Sequence, residues 1–192
     1  MKALSEYIIK TFLLTALVLT STSVSAQKFF HSFNSTQGLA DNTVYCCRQD
    51  INGFLWLGTA NGLCRFDGTS FTTYQNSPHD KSTINCNIVR DVLPVDSGLW
   101  IATDLGIDFY SLRDGIFHHS SRQGKLTSGI DIPRFNKFLK TEHHLFVVDN
   151  GGNVYRHKQG YLFETIRQNG QRYDAIAAYR DNMIVAAGPK GV

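Results

Sequence analysis

Adjacent histidine pairs, His118-His119 and His143-His144, raise the question of a metal site. Neighbouring residues of a β-strand point to opposite faces, so the two rings of one pair do not converge on one ion. Neither pair has a cysteine or an acidic residue at ligand spacing. We therefore expect no metal and no cofactor, and we expect these histidines to be exposed strand residues.

Arg65 and Asp67 share one face of an expected strand and could form a catalytic charge pair. A surface ion pair, or an aspartate that caps the next turn, explains the same spacing. The sequence has no glycine-rich phosphate loop, nucleophile elbow or paired-carboxylate motif. Asp104, Asp108 and Asp114 are scattered over turns and strand ends. The pattern predicts no catalytic site in this chain.

Trp56 and Trp100 could stack on sugar rings, because an indole presents a large flat face. Both lie at the same place in a repeated strand, however, and a residue that recurs in every repeat serves shared packing. We therefore expect buried core. The residues expected at the shared positions of the repeats are Trp56, Trp100 and Phe146 with Gly62, Gly106 and Gly152.

The repeated unit is clearest over residues 50–74, where short apolar strands alternate with turn dipeptides such as Asn52-Gly53 and Asp67-Gly68. These dipeptides readily adopt the positive φ angles of tight hairpin turns. Trp56 and Thr59 recur as Trp100 and Thr103, about 44 positions later, and that repeat length is typical of β-propeller blades. The strands expected in the first two blades are 43–49, 54–59, 63–66 and 70–74, then 88–95, 99–103, 106–110 and 116–120.

The expected fold class is all-β, an incomplete β-propeller of about 3.5 four-stranded antiparallel blades that follows a signal peptide. The expected divisions are a signal peptide at 1–26, a lead-in strand at 27–38 that could close a ring, blades at 39–76, 84–120 and 130–166, and a truncated fourth blade at 173–192. A propeller needs roughly four to eight blades. The sequence is therefore expected to be the N-terminal piece of a longer protein.

The N-terminus has the layout of a cleavable secretory signal. Residues 11–20 are almost wholly apolar, and the run ends in Val24-Ser25-Ala26, so we expect cleavage after Ala26 and export to the periplasm. The apolar run is well short of the ~20 residues that cross a bilayer. No membrane contact is expected after cleavage.

The net charge of the chain argues against one class of partner. A net charge of +3, without a basic run, gives no basis for nucleic-acid binding.

The chain has four cysteines, Cys46, Cys47, Cys64 and Cys86, which would be in an oxidising compartment after export. Cys46 and Cys47 point to opposite strand faces and should not bridge each other. We expect small buried hydrophobes, with a structural disulfide left open.

The residues of the first blade resemble the two-component regulator propeller repeat. Matching positions are Asn42, Val44, Asp50, Gly53, Leu55, Trp56, Gly58, Thr59, Gly62, Leu63, Arg65, Phe66 and Asp67 in blade one, with Trp100, Ile101, Thr103 and Gly106 in blade two. Ala102 replaces the usual glycine. The resemblance implies a periplasmic sensor region of a hybrid histidine kinase, which responds to a glycan and whose kinase and output parts lie elsewhere in the protein. It also allows a homodimer.

Polar residues at one face of such a propeller would suit sugar hydroxyl groups, because they supply hydrogen-bond donors and acceptors. Turns select the same residue types, so ordinary turn chemistry is the alternative. The candidate ligand-binding residues are Asn42, Thr59, Asn61, Asn85, Asn87, Thr103, Asp104, Asp149 and Asn150. Two other functions share the architecture: an exported propeller enzyme of lyase or quinoprotein type, and an exported protein-binding propeller.

Overall fold

The computed structural model describes residues 31–120, 134–167, 175–179 and 183–188, together with Tyr7, Lys10 and Thr11. The chain divides into two units, 1–32 and 33–192. In the first unit, Tyr7, Lys10 and Thr11 are helical. Residues 12–30, with the expected cleavage site, lie outside the described residues. No helix in the described part of the chain is long and apolar enough to cross a membrane.

The second unit is built from antiparallel sheets, which confirms the expected all-β propeller architecture. Within the described residues, three sheets have four strands and one has two, and in every sheet each strand pairs with its sequence neighbour. The strands are β1 Val44–Gln49, β2 Leu55–Thr59, β3 Gly62–Phe66, β4 Phe71–Tyr74, β5 Val89–Val95, β6 Gly98–Thr103, β7 Gly106–Ser111, β8 Phe117–His119, β9 Phe135–Lys140, β10 Leu145–Asp149, β11 Val154–Gln159, β12 Leu162–Arg167, β13 Ala175–Tyr179 and β14 Met183–Ala187.

The segment before β1 differs from the expected lead-in strand. Its described part, residues 31–38, contains no strand, and Ser35–Gln37 forms a short 3-10 helix instead. Asn34 caps that helix: its side chain accepts from the Thr36 backbone, while the Gln37 side chain accepts from the Asn34 backbone. A local side-chain capping pair of this kind competes with strand pairing.

In each of the three four-stranded blades, one backbone hydrogen bond ties the second turn to the start of the inner strand. The amide of Ala60 donates to the Thr43 carbonyl, at 3.1 Å between N and O. Blades two and three repeat this bond between Asp104 and Ile88, and between Asn150 and Arg134. These second turns, residues 60–61, 104–105 and 150–152, and the interblade link 75–88 are called the polar face below.

The apolar core lies between successive blades. Trp56 is fully buried among Val89, Val92 and Ile101 of the next blade. Trp100, 5% exposed, packs in the same way towards the third blade, in a cluster with Phe135, Phe138 and Phe163. Phe146, 4% exposed, clusters with Leu139, Val148 and Val154, and Ile176 of β13 packs against them. One side-chain position of the second strand therefore carries the packing at each blade boundary.

Asp91 adds a polar tie across three blades. Its carboxylate lies 3.4 Å from Arg48 Nη2 on β1 and accepts the Phe138 amide on β9 at 2.9 Å. Asp91 is 4% exposed, and this burial raises the pKa of its carboxyl group above the ordinary value, against the opposing effect of those two partners. Burial, with a contribution from Asp91, also raises the pKa of the neighbouring Cys46 thiol to about 12.

Candidate functional site

Three of the candidate ligand-binding residues are buried and already use their side-chain oxygens. Thr59 Oγ1 donates to the Gly62 carbonyl at 2.8 Å, and Thr103 Oγ1 donates to the Gly106 carbonyl at 2.9 Å. Asp149, 4% exposed, accepts hydrogen bonds from Gly151, Asn153 and Tyr155. These three side chains therefore point into their own turns rather than towards solvent, because each one closes the turn that carries it.

Asn61 and Asn87 meet on the polar face. Asn87 Nδ2 lies 3.3 Å from Asn61 Oδ1, and the Asn87 carbonyl accepts the Gly62 amide at 2.7 Å. Asn87 Oδ1 accepts the Asn76 amide, and Gln75 Nε2 donates to the Asn61 carbonyl. The pair thus joins the second turn of blade one to the link that leads into blade two. Asn61 is exposed and keeps hydrogen-bonding capacity towards solvent.

Asp104 lies on the same face but is held by an arginine. Its carboxylate forms two hydrogen bonds with Arg90, at 2.7 Å to Nε and 3.0 Å to Nη2. The guanidinium of Arg90 also sits 4.5 Å from the centre of the Tyr45 ring. This bidentate pair of Asp104 and Arg90, called the fork below, is rigid, since two parallel hydrogen bonds fix both side chains. A ligand would meet Asp104 as part of an ion pair.

The remaining polar candidates are dispersed. Asn42 is exposed, and its Oδ1 accepts the Ser35 amide at 2.9 Å, beside the 3-10 helix. Asn85 holds the link, because its amide donates to Asp108 Oδ2 and its Nδ2 donates to the Leu105 carbonyl. Asn150 is exposed at the second turn of blade three. The structure thus brings together Asn61 and Asn87, and does not gather the whole predicted set into one site.

His119 corrects the expectation that the histidines are exposed. It is 7% exposed, with Nδ1 at 2.7 Å from Asp108 Oδ1 and Nε2 at 2.9 Å from the Lys81 carbonyl. Both ring nitrogens face oxygen acceptors, and only a doubly protonated ring can donate to both. The sequence also did not indicate that Asp108, which is fully buried, takes part in this contact. The two residues fasten the long interblade link to the third and outer strands of blade two.

Arg65 and Asp67 do not form a charge pair with each other. Asp67 caps the turn after β3 by accepting hydrogen bonds from Thr69 and Ser70, which hold the pKa of its carboxyl group well below the ordinary value. Arg65 instead places its guanidinium 4.7 Å from the centre of the Phe54 ring. The turn-capping explanation therefore accounts for Asp67.

The four cysteines are free thiols. Cys64 is buried, Cys46 and Cys86 are partly buried, and Cys47 is exposed, so the expectation of buried hydrophobes is wrong for Cys47. Among the described residues, no group of three histidine, cysteine or acidic side chains is placed to hold a metal ion.

A cleft of about 700 Å³ lies between blades two and three, on the face formed by the first and third turns of the blades. Its wall is aromatic, made by Trp100 and Phe109 from blade two and by His157 and Tyr161 from blade three. Its rim carries Asp96, Ser97, Ser111 and Arg113. The cavity lined by these wall and rim residues is called the cleft below. The polar face, by contrast, is formed by the second turns.

The length of one hairpin explains why this cleft opens beside Trp100. In blade one the turn between β1 and β2 spans residues 50–54, and it covers the Trp56 indole, whose Nε1 donates to Asp50 Oδ2 at 2.8 Å. In blade two, Val95 pairs directly with Gly98 across the short turn at residues 96–97. A Cβ atom at Gly98 would collide with the Tyr110 carbonyl, so this tight turn needs glycine there. The shorter hairpin was visible in the sequence, although its effect on Trp100 was not.

Comparison with known proteins identifies the repeat. Residues 38–61 match the family model described as two component regulator propeller. Over 56 residues, 29% of this chain, the sequence is 43% identical to histidine kinase P4 of Formosa agariphila. The chain therefore carries a two component regulator propeller repeat, which confirms the resemblance found in the sequence. The matched stretch spans only 4% of the kinase.

Solved structures share the fold. The extracellular domain of a hybrid two component system from B. thetaiotaomicron matches with a TM-score of 0.55 and 22% identity, over 75% of this chain and 19% of that chain. Virginiamycin B lyase of Staphylococcus aureus matches with a TM-score of 0.51 and 16% identity, over 81% of this chain and 55% of that chain. At such identities the likeness shows a common fold, and one propeller fold serves both a signalling domain and an enzyme.

Proposed function

We propose that this chain is the exported, ligand-sensing propeller region of a two-component signalling protein whose whole form is a hybrid histidine kinase. The observation that carries the proposal is the propeller repeat at residues 38–61, together with 43% identity to a histidine kinase over 56 residues. The secretory pattern of the N-terminus supports export. The proposed function requires export, since a sensor of external ligands must lie outside the cytoplasm.

The ligand is proposed to be an oligosaccharide. On the polar face, the side chains that remain suited to sugar hydroxyl groups are Asn61, Asn87 and the fork of Asp104 with Arg90. Amide and carboxylate oxygens accept from hydroxyl groups, and amide N–H groups donate to them. The Asn61–Asn87 contact joins a blade to an interblade link, so a ligand there would bear on the arrangement of two blades. A ligand shifts such an equilibrium only if it binds one arrangement more tightly.

Autophosphorylation of the full-length protein tests the sensor function. Oligosaccharides are added to the protein in membrane vesicles, with access to the propeller side, and incorporation of labelled phosphate is measured. We expect one class of oligosaccharide to change the rate at least severalfold and Asn61→Ala with Asn87→Ala to reduce that response. Lys158→Gln, an exposed change outside the polar face, is the control. A phosphorylation rate that no oligosaccharide changes would overturn the proposal.

Processing of the leader is tested separately. Intact-mass measurement of the protein recovered from the periplasmic or membrane fraction should give an N-terminus at Gln27, because Val24 and Ala26 are the small residues that signal peptidase requires. A mature protein that retains residues 11–20 would contradict export through a cleaved signal.

A further inference from the structure

We propose that the cleft between blades two and three is a second site that binds one pyranose ring of a sugar. Nothing in the polar pattern of the sequence points to this cleft, since it lies on the face formed by the first and third turns. The inference rests on the proposed glycan-sensing function only for the natural source of the sugar. The binding itself is argued from the cleft.

The size of the cleft suits a small ligand. Its volume of about 700 Å³ falls within the roughly 300–1,000 Å³ that is usual for ligand pockets. Two independent sheets supply its walls, because the second blade contributes β6, β7 and their turns while the third blade contributes the β11–β12 hairpin. A ligand in the cleft would therefore contact both blades at once.

The aromatic wall suits the apolar face of a sugar ring. The Trp100 ring centre lies 5.1 Å from that of His157, and the Phe109 centre lies 5.5 Å from that of Tyr161, so tilted rings from both blades pack on one another. Trp100 and Phe109 are 5% and 7% exposed, so the half-buried His157 and Tyr161 supply most of the apolar surface that is open to a ligand. A pyranose presents a patch of C–H bonds on one face. Contact between these C–H bonds and the wall removes apolar surface from water, which is favourable.

The rim of the cleft suits the hydroxyl edge of the same ring. Asp96 accepts hydrogen bonds, Arg113 donates them, and Ser97 can do both. Ser111 is buried, and its side chain is held by Asp114. Asp96 and Arg113 are exposed, and within the described part of the chain no ion pair holds either one. Asp104 on the polar face differs in this respect, since Arg90 occupies it. A wholly apolar ligand would fit less well, because covering the rim charges without partners costs free energy.

Calorimetric titration of the full-length protein tests the cleft. The probes are gluco-, xylo-, manno- and galacto-oligosaccharides of four to six units, titrated into the wild type and into variants. For the sugar that binds, we expect Asp96→Asn and Arg113→Gln each to raise Kd at least fivefold and Tyr161→Ala at least tenfold. Glu142→Gln, exposed in the first turn of blade three and outside the cleft, should leave Kd within twofold. The two exposed rim variants keep the test valid if Tyr161→Ala fails to fold.

The outcomes separate this inference from the proposed function. If Asn61→Ala and Asn87→Ala weaken binding while the three cleft variants leave it unchanged, the cleft is overturned and the polar face stands. If the cleft variants weaken binding but no sugar alters phosphorylation, the cleft stands and the sensor function fails. If none of the four probe classes binds the wild type, the sugar-binding inference is overturned.

Discussion

At the scale of single residues, the shared tryptophan position contributes both packing and one hydrogen bond. Trp56 is fully buried, and its indole nitrogen donates to the buried carboxylate of Asp50 at 2.8 Å. The same carboxylate also accepts the amides of Asn52 and Phe54, which close the first turn of the blade. The Asp50 carboxylate therefore both holds the tryptophan that packs between blades and closes the turn within its own blade.

Replacing this indole should destabilise the protein strongly. We expect Trp56→Ala to lower the free energy of unfolding by ~3–5 kcal/mol, because a large buried ring is lost and a cavity remains. Leu105→Ala, at a side chain that is 45% exposed, should change it by only about 0.5 kcal/mol. Urea unfolding followed by circular dichroism measures both. A loss below about 1 kcal/mol for Trp56→Ala would contradict the core assignment.

His119 should control the order of the interblade link. His119→Phe keeps a ring in place but removes the contacts to Asp108 and to the Lys81 carbonyl. We expect trypsin to cut after Lys81 several times faster in this variant, because protease cleavage needs a locally opened segment. His79→Phe, at an exposed position of the same link, is the matched control. Equal cleavage rates in wild type and His119→Phe would show that the link is held by other contacts.

At the scale of strands and turns, much of the fold could be predicted from the sequence. All eight expected strands of the first two blades agree with the observed strands to within about one residue at each end, because turn glycines mark the boundaries. Gly53 and Gly68 indeed have positive φ angles of 88° and 100°. The site was less predictable. Thr59, Thr103 and Asp149 have the residue types of ligand-binding turns, yet their oxygens are consumed by local hydrogen bonds.

Asp108 and His119 show a second limit of the sequence. Their strands are read correctly, but their partners are Asn85 and Lys81 in a link of irregular structure. Contacts between a strand and an irregular link depend on tertiary packing, which strand periodicity does not encode. The cleft beside Trp100 could not be predicted either, since it lies between two blades and so depends on the same tertiary packing.

The tie made by Asp91 should give a pH dependence of known sign. Burial raises the pKa of Asp91 in the folded protein, whereas the unfolded chain titrates near the ordinary value. The folded state therefore binds more protons between these two values, and the contribution of Asp91 to the free energy of unfolding falls as pH rises through that window. Above the raised pKa the loss is complete.

Asp91→Asn removes this titration and provides the measurement. We expect the unfolding free energy of the wild type, taken relative to the variant, to be higher near pH 4 than at pH 7. Asp96→Asn, at an exposed carboxylate, should show a much smaller change over the same range. Chemical denaturation at several pH values measures both differences. A wild-type advantage that grows towards pH 7 would mean that ionised Asp91, paired with Arg48, stabilises the fold.

At the scale of the whole molecule, the isolated 192-residue chain should self-associate. Among the described residues, β14 pairs only with β13, and Tyr179 and Val185 of this two-stranded sheet are 50% and 38% exposed. Unpaired strand edges with apolar side chains recruit further strands. Size-exclusion chromatography with light scattering should show species larger than a monomer, growing with concentration. A monomer that melts in one sharp transition would contradict this prediction.

The short turn at residues 96–97 also bears on how such a protein changes by descent. If blades arise by duplication and start with equal hairpins, losing or gaining a few codons in one hairpin opens or closes a cleft beside packing that is already made. The core residues need not mutate, because Trp100 still packs towards the third blade. A new pocket can thus be inherited from a single small deletion. The longer turn at residues 50–54 shows the closed alternative, in which the equivalent tryptophan, Trp56, is fully buried.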